Sequence, residues 1–352
     1  MTHDPARILL IRPSALGDVC RTVPLAASLR ARWPGATIDW LVQDTFVDAV
    51  RGHPAVNEVI PFPRSKFASW YTPPTAARFV QWLRGLRRRR YDIVVDAQGL
   101  ARSALITWAT GAPVRVGHAN AREGGRLAYT LRVDDGGAVH TVDRMLRLVE
   151  AAGAPIVRDM RLYLPGGTDA SHAPATDHYA VLAPTSRWPG KQWPPQRFAE
   201  LAQLLLSRPE FGIERVVVVG GRNERDQCHD VLELAAKDGC VIDRVGHTSI
   251  AELMAIIAGC RVLVANDSAA LHMAVGFGRP LVGLYGPTDV AKVGPYGAAD
   301  RVIQHREPGD VLDHKSESVG RAMMARITVD EVVRAVERQL LAAPYPGAGA
   351  VT

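Results

Sequence analysis

The sequence predicts an α/β protein made of two doubly wound, Rossmann-like domains, and three observations predict it. At 352 residues the chain exceeds what one typical core needs. Short apolar runs alternate with helix-period segments along its whole length, the pattern of βα units around parallel sheets. That alternation lapses once, in the Gly, Pro, Ser and Thr-rich stretch "LPGGTDASHAPATDH", and then restarts. The expected divisions are a first domain over residues 1–167, a linker over 168–178, a second domain over 179–327, a final helix over 328–343 and a disordered tail over 344–352.

In the first half, a strand is expected at Arg7–Arg12 and a helix from about Val19 to Trp33, stopped by Pro34 and Gly35. A strand at Thr37–Val42, a short helix near Thr45–Arg51 and a strand at Glu58–Pro61 follow. The irregular stretch "FPRSKFASWYTPPTA" is too long for a routine connector and reads as a functional loop. Beyond it come the basic helix "AARFVQWLRGLRRRR", the strand in "YDIVVDAQG" and a helix over about Leu100–Thr110. In the second half, strands are expected at Tyr179–Ala183, Arg215–Val219, Cys240–Asp243, Val262–Ala265 and within "PLVGLYGPT". Helices alternate with them at about Pro195–Ser207, Glu224–Lys237 and Ile250–Ala258, and from an opening at Asp267-Ser268. Thr328 and Glu331 form a capping box for the last helix.

Composition excludes several classes. The early residues carry neither a membrane-span-length apolar run nor a signal-peptide pattern, which predicts a cytoplasmic protein. Cys20, Cys228, Cys240 and Cys260 have no CxxC spacing and the 11 histidines no HExxH, so no dedicated metal site is expected. A formal charge of +6 is partly concentrated in "RGLRRRR", which reads either as a solvated helix end or as a docking surface for anionic lipid head groups or phosphates. Nucleic acid is not an expected partner, since no binding module is present and aromatics are 6%.

In doubly wound domains ligands bind beyond the carboxyl ends of the strands, so the loops there carry the chemistry. Asp18 sits where the first strand turns into a helix, a place that suits a helix-start cap or a catalytic acid-base group. "PTSRWPGKQWP" puts Thr185, Ser186 and Lys191 after a strand, hydroxyls and a point charge suited to a diphosphate. "NDSAALH" opens a helix at Asp267, Ser268 and Ala269, with His272 one turn on, where free N–H groups attract phosphate. In "VVVVGGRNERD", Glu224 suits either a ribose contact or a helix cap. Neither GxGxxG after a first strand nor GxxxxGK[ST] occurs, which argues against a dinucleotide oxidoreductase and a P-loop enzyme.

Together these loops resemble glycosyltransferase family 9. The resemblance runs over most of the chain: SxxGD as Ser14, Gly17 and Asp18; DxQG as Asp96, Gln98 and Gly99; "AREG"; His140 with Arg144 in "HTVDR"; then "PTSRWPGKQWP", "NDSAALH" and "GPTD". It implies the GT-B fold, two Rossmann-like domains facing a central cleft, and an inverting transfer of heptose from ADP-L-glycero-D-manno-heptose to a Kdo-lipid A type acceptor in lipopolysaccharide core assembly. By motif it implies Asp18 as general base and Thr185, Ser186, Lys191, Glu224, Asp267, Ser268, Ala269 and His272 as donor-binding. Ser14, Gly17, Arg64, Lys66, Gln98 and Arg122 would serve the acceptor. No cofactor beyond the donor substrate is implied, and the enzyme would lie peripherally on the cytoplasmic face of the inner membrane. Ala269 departs from the family's usual Gly, and Glu224 aligns only with a one-residue shift. The alternatives are a family 9 transferase with another glycan or a protein acceptor, a nucleotide-sugar epimerase, and a non-catalytic nucleotide-sugar-binding protein.

Overall fold

The computed structural model describes residues 4–67, 72–313 and 316–342. The expected tail, part of the irregular loop at 68–71 and residue 343 lie outside them. The chain divides into two compact units, Met1–Gly167 and Thr168–Thr352.

Unit 1 contains strands β1 (Arg7–Ile11), β2 (Thr37–Gln43), β3 (Glu58–Phe62), β4 (Ile93–Asp96), β5 (Val114–His118) and β6 (Leu131–Val133). Its helices are α1 (Leu16–Arg21), α2 (Val23–Arg32), α3 (Asp48–Arg51), α4 (Pro73–Arg88), α5 (Ala101–Ala109) and α6 (Thr141–Ala151). All strands pair in parallel in the order β3-β2-β1-β4-β5-β6. Ile8, Leu9, Leu10 and Ile11 are wholly buried because β1 is central and covered on both faces. On one face Leu9, Ile11 and Val94 pack with Leu86 of α4 and Ile106 of α5, joined by partly buried Phe79, Trp82 and Leu83.

Unit 2 repeats the plan with β7 (Tyr179–Ala183), β8 (Arg215–Val218), β9 (Val241–Asp243), β10 (Val262–Asn266), β11 (Leu281–Leu284) and β12 (Val302–Ile303). Its helices are α7 (Pro195–Leu206), α8 (His229–Ala235), α9 (Ile250–Gly259), α10 (Ala269–Gly276), α11 (Val290–Val293), α12 (Glu317–Ala325) and α13 (Val329–Ala342). Read from the other edge, the parallel order is β9-β8-β7-β10-β11-β12, the same as in unit 1. In each unit the strand order reverses once, between β1 and β4 and between β7 and β10. The crevice at that switch point is where such sheets take ligands.

Several elements differ from the sequence expectation. The helix expected from Val19 to Trp33 begins at Leu16 and breaks at Thr22, because Pro24 cannot donate into a continuing ladder. The helix expected from Glu224 starts as a tighter 3-10 turn over Arg222–Cys228 before α8. That expected at Thr45–Arg51 is a 3-10 turn over Asp44–Phe46 followed by α3. Asp267 does not open α10: Ser268 is its N-cap and Ala269 its first residue. Elements β5, β6 and α6 went unread; α6 buries Val142, Met145, Leu146 and Val149, a clear helical stripe.

Candidate active site

At the switch point of unit 1, three loops are tied together. Gln98 and Gly99 donate their N–H groups to Asp96 Oδ1 at 2.9 and 3.1 Å, and Tyr129 Oη donates to Asp96 Oδ2 at 2.8 Å. Gly99 makes the turn at φ +69°, which a residue with a Cβ adopts only at a cost. The amide of Ser14 donates to Gln98 Oε1 at 3.3 Å, and the amide of Arg122 donates to the Gly99 carbonyl at 3.0 Å. Asp96 is wholly buried, and burial pushes its pKa up against the pull of these hydrogen bonds. Its carboxyl therefore fastens the turn that presents Gln98 and Arg122.

Asp18 lies three residues into the helical region that starts after Ala15, and its Oδ2 accepts the Ala15 N–H at 3.2 Å. The same oxygen pairs with Arg12 at 2.9 Å, and Oδ1 pairs with Arg21. Burial pushes the Asp18 pKa up, but the Arg12 and Arg21 guanidinium groups outweigh it and hold the carboxyl well below the usual aspartate range. Asp18 is thus always ionised near neutrality, with its side chain still 25% exposed. Arg12 also donates to the Ala97 carbonyl, joining the β1 and β4 loops.

Arg12 lines a cavity of about 360 Å³ with Gln98, His118, Arg122, Thr141 and Arg144. Asp135 braces its far wall: Arg144 pairs with Asp135 Oδ2 at 2.6 Å, and His118 Nδ1 lies 3.1 Å from Oδ1. Burial lowers the His118 pKa, so the guanidinium groups dominate the wall and the cavity suits an anion. Of the expected acceptor residues, Gln98 and Arg122 line this cavity. Ser14 and Gly17 belong to the Asp18 loop, while Arg64 and Lys66 are exposed beyond β3 and outside the lining. The sequence does not single out Arg12, Arg21, His118 or Asp135; the only signal is that Arg12, His118 and Asp135 lie at or just beyond strand ends, while Arg21 closes α1.

At the switch point of unit 2, Lys191 Nζ pairs with Asp267 Oδ2 at 2.6 Å, both largely buried. Burial pushes the Asp267 pKa up, yet Lys191 brings it net below the ordinary value. Ser186 Oγ donates to the Asp267 carbonyl at 3.3 Å, and the Ser186 N–H donates to Gln227 Oε1 at 2.9 Å. Asn266 ties β10 to the neighbouring loop by donating to the Pro184 carbonyl at 2.5 Å. Thr185, Ser186 and His272 are all buried. Ser268 Oγ, at the head of α10, is buried without a hydrogen-bond partner among the described residues. Such a hydroxyl beside free helix N–H groups and a Lys is suited to an anion. Ala269 has no positive φ, so its Cβ does not strain this turn. Glu224 accepts the Gly221 N–H at 2.8 Å, so one carboxylate oxygen closes the loop after β8. The single group with metal-like spacing among the described residues is Asp169, His172 and Glu252, away from both switch points in sequence; Glu252 already accepts the Ser249 N–H at 2.6 Å.

The family profile described as Glycosyltransferase family 9 (heptosyltransferase) matches residues 79–319, more than half of the chain. The chain belongs to glycosyltransferase family 9. Among its relatives, lipopolysaccharide heptosyltransferase 1 of Pseudomonas aeruginosa is 30% identical over 304 residues, covering 83% of this chain and 81% of the relative. The Escherichia coli protein of the same name, from strain RS218, is 27% identical over 312 residues, with 87% and 93% covered. Among solved structures, E. coli ADP-heptose LPS heptosyltransferase II superposes with a TM-score of 0.76 at 25% identity, covering 96% of this chain and 99% of that one. E. coli heptosyltransferase WaaC with ADP gives 0.75 at 26%, with 95% and 99% covered. The family 9 chain is therefore a glycosyltransferase, and its two doubly wound units are those of the GT-B fold.

Proposed function

We propose that this family 9 enzyme is an inverting heptosyltransferase that moves heptose from ADP-L-glycero-D-manno-heptose to a Kdo-lipid A type acceptor, with Asp18 as general base. The observation that supports it best is the pairing of chemistry with topology. An ionised carboxylate beside a cationic cavity marks the switch point of unit 1, and an anion-suited Lys191, Ser268 and α10 set marks that of unit 2. The relatives named for lipopolysaccharide heptose transfer, and the relative solved with ADP-2-deoxy-2-fluoro heptose, support the choice of sugar and nucleotide.

In this reading the acceptor hydroxyl attacks the anomeric carbon as the bond to the diphosphate breaks, and its proton passes to Asp18. A carboxylate of low basicity suffices, because the hydroxyl becomes strongly acidic as its oxygen bonds to carbon. The leaving ADP gathers negative charge, which Lys191, the Ser268 hydroxyl and the N–H groups at the head of α10 stabilise without a metal ion. Thr185 and Ser186 hold the diphosphate, Asp267 positions Lys191 and faces the heptose hydroxyls, His272 assists at the phosphate, and Glu224 takes the ribose with its second oxygen. Arg122 and Gln98, with Arg12 and Arg144 beside them, take the acceptor's carboxylate or phosphate. Arg64 and Lys66 would meet the acceptor farther out. Because that acceptor is anchored in lipid, the enzyme works peripherally at the cytoplasmic face of the inner membrane.

Mass spectrometry of Kdo-lipid A after incubation with ADP-heptose tests this. A gain of one heptose with the wild type, lost in Asp18→Asn while calorimetry shows donor binding retained, is the expected result. Donor binding without transfer would redirect the search to another acceptor, and absence of donor binding would overturn the reading of unit 2.

A further inference from the structure

Among the large apolar side chains that unit 1 exposes, three lie together away from the polar loops: Leu127 is 75% exposed, Trp108 61% and Leu105 44%. Leu105 and Trp108 stand three residues apart on α5, in one stripe with exposed Ala101, while Ala104, Ile106 and Thr107 face inward. The turn that carries Leu127 packs against α5 through Ala128 and Ala104, so Leu127 flanks that stripe. On its other flank lies α4, whose Leu86 enters the same core as Ile106 of α5, so the outer sides of the two helices share one face of the unit.

The outer side of α4 carries Val80, Arg84, Arg87 and Arg88, and the helix has no acidic residue. The Arg87 guanidinium reaches Gly111, 3.0 Å from where a Cβ would stand and three residues beyond Trp108. Residues 73–132 hold 11 arginines against three acids. Those acids are engaged: Asp96 is buried on Tyr129, Asp92 accepts the Ala6 and Arg7 N–H groups, and Glu123 accepts that of Ala101. Arg84, Arg87, Arg88 and Arg126 make no ion pair among the described residues.

We propose that this face, with Trp108, Leu105 and Leu127 at its centre and Arg84, Arg87, Arg88 and Arg126 around it, docks unit 1 on an anionic lipid bilayer. An exposed indole beside apolar neighbours suits the boundary between head groups and acyl chains, and the surrounding guanidinium groups match head-group phosphates. Trp and Arg also suit protein interfaces, so the choice of occupant rests on the charge imbalance, which complements the continuous negative surface of an anionic bilayer. No described helix is long and apolar enough to cross a membrane, so the contact is interfacial. The face also borders the cationic cavity, whose rim includes Leu100, Ala121 and Arg122 from the same α5 and Leu127 region. A lipid-borne acceptor on the docked bilayer would thus present its anionic sugar beside that cavity; this link rests on the function proposed above.

The test is flotation of the full chain with vesicles of phosphatidylcholine alone or mixed with phosphatidylglycerol. The wild type is expected to float with the mixed vesicles only, and to be released by salt. Leu105→Ser with Trp108→Ser should lower partitioning on the order of tenfold. Arg84→Gln, Arg87→Gln and Arg88→Gln together should lower it by about fivefold per arginine. Both variants should keep wild-type turnover of a de-acylated, water-soluble acceptor and lose it on the vesicle-borne one. Flotation unchanged in both variants overturns the proposal. So does a change in oligomeric state by sedimentation with flotation intact, which would make the face a contact between copies. A wild type that floats but transfers no heptose to either acceptor would overturn the proposed function and leave the docking face standing.

Discussion

As the proposed base, Asp18 has to combine two demands that pull in opposite directions, exposure enough to meet a substrate and a fixed charge. The Arg12 and Arg21 pair meets the second by holding the carboxyl ionised far below the ordinary value of 3.8. The consequence is a specific pH profile. A base tuned toward neutrality gives an acid limb near about pH 6. Asp18 instead predicts kcat/KM that stays flat on the acid side of neutrality, and a limb near 6 would assign the proton transfer to another group. Lys191 carries the matching prediction in unit 2. Lys191→Met leaves Asp267 buried without its cation, so the Asp267 pKa should rise and the folded state should lose about 3 kcal/mol, with ADP binding falling in parallel. Unchanged calorimetric affinity for ADP would separate Lys191 from the diphosphate. At this scale the sequence pointed to the loops that the structure gathers at the two switch points, because polar residues after apolar strands stand out. It did not show that Asp96 fastens a turn, or that Asp135 gathers His118 and Arg144. Gln98 and Gly99 are neighbours of Asp96 in its own turn, but Tyr129 joins it from beyond β5, and Asp135, His118 and Arg144 come from separate elements that only the folded unit brings together.

Among the elements, the long central strands were legible because each is a run of Val, Ile and Leu buried on both faces. The edge strands β6 and β12 have three residues or fewer, too short for any period to register, whereas β9, equally short, was expected at Cys240–Asp243. The segment that closes unit 1 was equally silent, although it is pinned by a close fit: the Leu164 carbonyl lies 2.5 Å from where a Gly52 Cβ would be. Next to Gly52, His53 stacks edge-on against Tyr163 at 5.2 Å, and its Nδ1 accepts the Ala55 N–H at 3.1 Å. Burial lowers the His53 pKa from 6.5 to about 4, with Asp159 opposing and Arg161 adding to the fall. As the pH drops, the unfolded chain therefore takes up this proton first. Stability is complete above 6.5 and is lost as the pH falls from 6.5 toward 4, by about 3 kcal/mol in full. His53→Asn keeps an acceptor for the Ala55 N–H and removes the titration. Denaturant melts of this variant should lose less stability across that window than the wild type, and equal losses would place the acid sensitivity elsewhere.

At the scale of the molecule, the two units share one strand order, and each has its own core and its own switch point. Alternating βα segments made that duplication legible. What the alternation could not show is how the duplicated crevices differ: one ends in a carboxylate clamped by two arginines, the other in a lysine clamped by a carboxylate. Different ionisable groups at equivalent places, a clamped carboxylate in one unit and a clamped lysine in the other, predict a division of labour that hydrogen exchange can read. ADP should slow exchange at residues 184–191 and 266–272, whose amides and side chains surround Lys191, Ser268 and the head of α10. Binding stabilises only the state it contacts, and at about 100 times Kd it adds about 2.7 kcal/mol against openings that release the ligand. Lys191→Met should remove that protection and Asp18→Asn should leave it intact. Protection of residues 12–21 in place of 184–191 would put the nucleotide on unit 1, and the assignment of donor and acceptor would have to be exchanged.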